Sequence, residues 1–166
     1  MFKLKKIVLF LCCFWLFIPL KTAAEDQLPG LKIGTKAPEF MLQTIEGENI
    51  SLTDFRGKKV MLNFWATWCA PCKQEMRDFQ LFYQNKKDAN IEIIAVNIDT
   101  KSNVGKYIER LGITFPVLLD ENDHINEIYQ VLVIPTTYFI DEEGVIRDKY
   151  YSAMPLSLIE EKLKQF

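Results

Sequence analysis

Residues 57–65, Gly-Lys-Lys-Val-Met-Leu-Asn-Phe-Trp, become a nearly continuous apolar run without alternation, the pattern of a strand covered on both faces. From Pro71 the period changes. Cys72, Met76, Phe79 and Tyr83 recur at helical spacing, which predicts a helix to about Gln84. Residues 91–99 return to the pattern of a buried strand. Residues 102–111 predict a helix ending at Gly112, a residue suited to the left-handed position after a helix. A short strand over 115–120 and a short helix over 125–130 follow. Two strands, 136–141 and 145–151, are then expected around the turn 142–144. A last helix should open on the capping box Ser157-x-x-Glu160 and bury Ile159, Leu163 and Phe166. Upstream, residues 37–55 hold two short extended runs around Glu46-Gly47-Glu48, a hairpin pattern, and polar residues 25–36 with Pro29, Gly30 and Gly34 read as a linker. The order is hairpin, βαβαβα, then ββα. This is an α/β chain with parallel strands at its centre and one domain over 37–166.

The first 24 residues follow other rules. Lys3, Lys5 and Lys6 precede the apolar stretch 7–20, and small residues at 22–24 precede Glu25. That is the pattern of a secretory signal peptide, and the stretch is short of the roughly 20 apolar residues of a full membrane span. Phe2 and Leu4 could extend it with the lysines snorkelling, so a retained anchor is the alternative. Bulky Leu11 before Cys12 argues against lipoprotein processing, and Cys12 and Cys13 read as apolar filler. Both versions put the domain outside the cytoplasm. The charge balance points the same way for partners. Lys3, Lys5, Lys6 and Lys21 face no acid in residues 1–24, so the remainder carries 16 basic and 22 acidic side chains, a net of −6, which disfavours nucleic acid.

An exported domain keeps disulfides, and this one retains two cysteines, Cys69 and Cys72. A structural zinc site wants four Cys or His ligands, and only His124 is available besides the pair. A metal-delivery or binding module using Cys69, Cys72 and His124 is the alternative from another class, since thiolates suit Cu(I). His124 lies in the polar stretch Asp-Glu-Asn-Asp-His-Ile-Asn, which reads as a turn with a solvated histidine. A stabilising staple is a poor explanation, because closing so small a loop removes little chain entropy. Redox exchange fits the local physics. Cys69 falls between strand and helix, where unpaired N–H groups and the helix dipole favour a thiolate. Pro71 suits a first helical turn. Cys72 lies on the apolar face of the helix. The expectation is an exposed, attacking Cys69 and a sheltered, resolving Cys72.

The stretch Phe-Trp-Ala-Thr-Trp-Cys-Ala-Pro-Cys at 64–72, the downstream Val-Ile-Pro-Thr-Thr-Tyr-Phe-Ile-Asp at 133–141 and the strand–helix order resemble the thioredoxin superfamily. The signal segment, the hairpin at 40–52 and the inserted piece around 113–131 narrow the likeness to extracytoplasmic TlpA/ResA-type thiol-disulfide oxidoreductases, nearest their sporulation branch. The resemblance implies a thioredoxin fold with an N-terminal β-hairpin extension and a central strand–helix insertion. It implies an enzyme that reduces disulfides in client proteins, with electrons from a CcdA-type membrane protein. It implies clients in cytochrome c maturation or spore-cortex synthesis, a monomer, and no cofactor or metal. By motif match Cys69 attacks and Cys72 resolves; Trp68, Ala70 and Pro71 frame them. Pro135 matches a cis-proline, although cis is the minority state of X-Pro bonds in general. Ile134 and Thr136 flank the client groove.

Three departures are informative. Thioredoxin carries a buried aspartate on the strand before its motif, where this chain has Asn63, which cannot shuttle a proton. Glu75, three residues after Cys72 and four before Phe79, lies at the edge of the apolar stripe and matches the family's active-site glutamate. Its bland alternative is an exposed glutamate paired with Lys73 or Arg77. Dedicated cytochrome-maturation reductants tend to carry an acid beside the cis-proline, where this chain has Thr136, which weakens an apocytochrome client. A peroxidase would need Thr-x-x-Cys, whereas Thr67 stands two before Cys69.

Overall fold

The computed structural model describes residues 29–86, 90–99 and 103–165. The signal or anchor expected over 1–24, and the burial expected of Phe166, lie outside the described residues. Strand β3 (Lys59–Trp65) runs through the middle of the fold. Its alternating side chains feed two apolar layers: Met61 and Trp65 enter one, and Val60, Leu62 and Phe64 the other. That double burial is why the sequence shows no alternation there. On one side β3 pairs in parallel with β4 (Ile91–Asn97), which pairs in parallel with β5 (Val117–Leu119). On the other it pairs antiparallel with β6 (Thr136–Ile140), whose hairpin partner is β7 (Ile146–Tyr150). The N-terminal hairpin, β1 (Met41–Thr44) and β2 (Asn49–Ser51), adds antiparallel to β5. The strand order is β2-β1-β5-β4-β3-β6-β7.

Helix α1 (Ala70–Asn85) turns Cys72, Met76 and Phe79 into the first layer. Helix α2 (Val104–Leu111) adds Val104, Tyr107 and Ile108 to it. Gly112 closes α2 with φ 65°, and its N–H reaches the carbonyls of Ile108 and Glu109. The short α3 (His124–Ile128) covers the opposite face with Ile125, beside Tyr129, Phe40 and Leu52. Helix α4 (Leu156–Leu163) returns to the α1 side with Ile159 and Leu163.

The last helix starts differently from the expectation. Pro155 is its N-cap and no side chain caps it, so Ser157 lies one residue inside and makes no capping box. Proline's φ of −70° and extended ψ already turn the chain into the helix from a cap two residues before the serine. Residues 29–36, expected as the end of a linker, are hydrogen-bonded to the sheet. Lys36 bridges to Val145, Gly34 N–H donates to the Ile146 carbonyl, and Ile146 N–H donates to the Thr35 carbonyl. Lys149 Nζ reaches the carbonyls of Pro29 (3.1 Å) and Leu31 (3.0 Å), and the Tyr138 hydroxyl accepts from Leu31 N–H at 3.2 Å.

Candidate active site

The carboxyl end of β3 delivers the chain straight into α1, and Cys69 is that helix's N-cap. Cys69 and Cys72 are joined as a disulfide, with Cα atoms 5.3 Å apart. Cys69 Sγ also accepts from the Cys72 backbone N–H at 3.2 Å, one of the N–H groups that a helix start leaves unpaired. Ala70 and Pro71 follow exposed in the first turn, and Trp68 is 67% exposed before them. Cys72 is fully buried. Cys69, expected exposed, is only 5% exposed in this oxidised form. Its sulfur is bonded inward to Cys72, and the Ile134 carbonyl oxygen lies 3.9 Å away on its outer side.

That carbonyl is aimed by the segment entering β6. The Ile134–Pro135 peptide bond is cis. Pro135 is buried and Ile134 half-buried. Thr136 departs from its expected place beside the groove. It is 1% exposed and its hydroxyl donates to the Val133 carbonyl at 2.7 Å, so it braces the turn from behind. The exposed apolar residues at the turn are Leu132 and Val133. Neither was among the expected site residues. Two apolar residues directly before Ile-Pro, outside any strand, were the available signal.

Glu75 is fully buried on α1, one turn beyond Cys72. Its Oε2 accepts from Asn63 Nδ2 at 2.9 Å and its Oε1 from Met154 N–H at 3.1 Å. Burial pushes its carboxyl up to about 8; the Met154 and Asn63 hydrogen bonds pull it partly back, and the Asp78 charge adds to the rise. The exposed alternative, paired with Lys73 or Arg77, is therefore not what the fold builds. Asn63 lies opposite Thr137 in the β3–β6 ladder and donates to its hydroxyl at 3.0 Å. A second buried carboxylate was missed from sequence. Asp99, just past β4, accepts from Thr67 N–H at 2.7 Å and from Asn97 Nδ2 at 3.2 Å, which fixes the loop ahead of Cys69. An acid at the carboxyl end of a parallel strand was the signal, because sites in α/β sheets gather there.

His124 is elsewhere. It begins α3, exposed, beside a groove lined by Met41, Leu42 and Leu119, on the sheet face opposite the cysteines. Among the described residues no group of three His, Cys, Asp or Glu could hold a metal ion.

A disulfide at a helix start under a cis-proline turn is the geometry of thioredoxin-like proteins, and the sequence comparisons agree. Residues 33–149 match the model of the AhpC/TSA family. The chain belongs to that family. It is 43% identical over 119 residues to the thiol-disulfide oxidoreductase ResA of Geobacillus thermodenitrificans, covering 71% of this chain and 68% of the relative. It is 41% identical over 138 residues to the thioredoxin-like protein YneN of Bacillus subtilis, covering 81% and 80%. The crystal structure of StoA from Bacillus subtilis superimposes with a TM-score of 0.67 at 32% identity, covering 77% of this chain and 97% of StoA. The fold is the thioredoxin fold and the protein is a thiol-disulfide oxidoreductase. Its substrates are disulfide-containing client proteins.

Proposed function

We propose that this family member works outside the cytoplasm as a reductant. Its reduced dithiol is renewed by a CcdA-type membrane protein and is spent on clients of spore-cortex synthesis or cytochrome c maturation. Cys69 is the attacking group. Its thiolate opens the client disulfide and holds one client sulfur; Cys72 then attacks Cys69, closes the internal disulfide and frees the client thiol. The observation that carries this reading is the Cys69–Cys72 disulfide at the N-terminus of α1, with the Ile134 carbonyl 3.9 Å from Cys69 Sγ. A client strand laid against residues 132–134 brings its sulfur onto Cys69. The reduced Cys69 thiolate gains from the helix N-terminus, whereas Cys72 has no such access to solvent.

Glu75 takes the Cys72 proton when Cys72 attacks. It is the buried carboxylate three residues along the same helix face, where side chains are neighbours. The export pattern of residues 1–24 supports the location. Nothing in the positions of Cys69, Cys72 and His124 favours the metal-delivery alternative.

Trapping tests the roles. With Cys72→Ser, Cys69 captures clients and cannot release them, so disulfide-linked partners accumulate and are identified after reduction. With Cys69→Ser none should form. Equal trapping by the two variants would refute the assignment of attack to Cys69.

A further inference from the structure

Asn63 is fully buried in β3, where its neighbours on the same face, Met61 and Trp65, are apolar. A leucine would suit that layer. The amide instead spends both of its N–H groups, one on Glu75 Oε2 at 2.9 Å and one on Thr137 Oγ1 at 3.0 Å. Its carbonyl oxygen Oδ1 is buried with no hydrogen-bond partner. An amide is the side chain that presents a donor and an acceptor in nearly superimposable positions, exchanged by a half-turn about its last bond. The two neighbours tolerate that exchange. The Thr137 hydroxyl can accept or donate, and a carboxyl accepts when ionised and donates when protonated. No heavy atom outside the Asn63 amide need move.

We propose that Asn63 is a positioning residue for thiol–disulfide exchange: its amide holds Glu75 as the carboxylate that receives the Cys72 proton, then turns over to accept from the acid so formed. The proposal rests on the role given to Glu75 above. In the step concerned, the client is bound to Cys69 through a disulfide. The Cys72 thiol gives its proton to Glu75 Oε2, and the sulfur electron pair forms the Cys72–Cys69 bond. The Cys69–client bond breaks, and the client sulfur leaves with the electron pair and takes a proton from water. Client disulfide is reduced and the dithiol of the protein is oxidised. Met154 N–H stays on Oε1 throughout. Glu75 is faced by Asn63 from β3, by the Met154 amide from the segment before α4, and through Asn63 by Thr137 from β6. The charge acting on it is Asp78 of its own helix. Asparagine does here what an aspartate could not: it serves both states of Glu75 without adding a second charge to the pocket.

The test is the rate of insulin-disulfide reduction by the reduced protein between pH 6 and 10. The native protein should show an inflection near 8, and Glu75→Gln should remove it. Asn63→Leu should move it upward by about one pH unit, because the ionised carboxylate loses a donor, and cut the rate below the inflection roughly tenfold. In the Glu75→Gln background, Asn63→Leu should leave the profile unchanged. An Asn63→Leu inflection at the native pH, with Glu75→Gln lacking one, overturns this proposal and leaves Glu75 standing. A Glu75→Gln profile that keeps the inflection overturns the reading of Glu75 and this proposal with it. A second measurement needs no folded variant. The side-chain amide of Asn63, followed by 15N NMR in the native protein, should titrate with the Glu75 midpoint; an amide pair that stays fixed while Glu75 titrates overturns the proposal.

Discussion

Glu75, on α1 three residues after Cys72, meets Asn63 in the carboxyl half of β3, and Asp141 lies at the opposite end of the sheet, in the turn from β6 to β7. Both carboxylates are withdrawn from water, and withdrawal alone pushes both upward. Glu75 has two neutral donors, and its carboxyl rises to about 8. Asp141 has the N–H groups of Val145 (2.7 Å) and Glu143 (3.1 Å) and an ion pair with Arg147. There burial is outweighed by the Val145 and Arg147 hydrogen bonds, the Arg147 charge and the Glu143 bond, and the carboxyl falls below its ordinary value. Burial therefore sets the stakes and the donors decide the sign. One site stores a proton within reach of neutral pH; the other fixes a permanent charge that staples a turn.

The largest expected effect separates the two by slope. A carboxyl held near 8 in the fold, against 4.5 in the unfolded chain, makes the folded state the better proton binder. Its stabilising contribution is complete below the unfolded value and is lost as pH rises through the folded value. Over that window the native protein should lose about 4 kcal/mol that Glu75→Gln does not lose. Urea unfolding of both proteins at pH 5 and pH 9 measures it, and parallel changes would erase the contrast. Asp141 runs the other way: its contribution is present above the ordinary carboxylate range and is lost as pH falls through its lowered value. Asp141→Ala should cost about 2 kcal/mol at pH 7 and progressively less in acid. Insulin reduction per folded molecule should be unchanged. A fall in that rate would show that the two ends of the sheet are coupled. The smallest effect belongs to a carboxylate never taken out of water. Glu39 pairs with Arg56 at the surface, 46% exposed, and Glu39→Ala should change stability by no more than about 0.5 kcal/mol. A larger loss would mean that burial is the wrong axis of comparison.

Much of this was legible in the chain. The unbroken apolar run of β3, the period of α1 and the hairpins are all carried by neighbours in sequence, where side-chain alternation reports burial directly. Glu75 could be placed because its spacing from Cys72 and Phe79 is a property of one helix. Its donors could not, since Asn63 and Met154, and the Thr137 hydroxyl that takes the other Asn63 N–H, come from three other segments and meet only once the sheet is formed. Asp99 reaches Thr67 across 32 residues for the same reason. The end of the groove was misjudged at Thr136 because a strand start does not reveal which residue turns inward. The Ser157 capping box was a sound local pattern overtaken by Pro155, two residues earlier.

The segment 29–36 has a further consequence. β7 is an edge strand, and an edge strand with free backbone groups is a template on which another chain can grow. Here the N–H and carbonyl of Ile146 are both taken by that segment, and the Lys149 ammonium crosses to it farther along. The opposite edge, β2, is three residues long. A protein that acts on disulfide-containing client chains brings another polypeptide backbone close to its own at every turnover. Its own sheet is closed at one edge by a strap and cut short at the other, so a client can exchange sulfur with it and find little backbone to cling to.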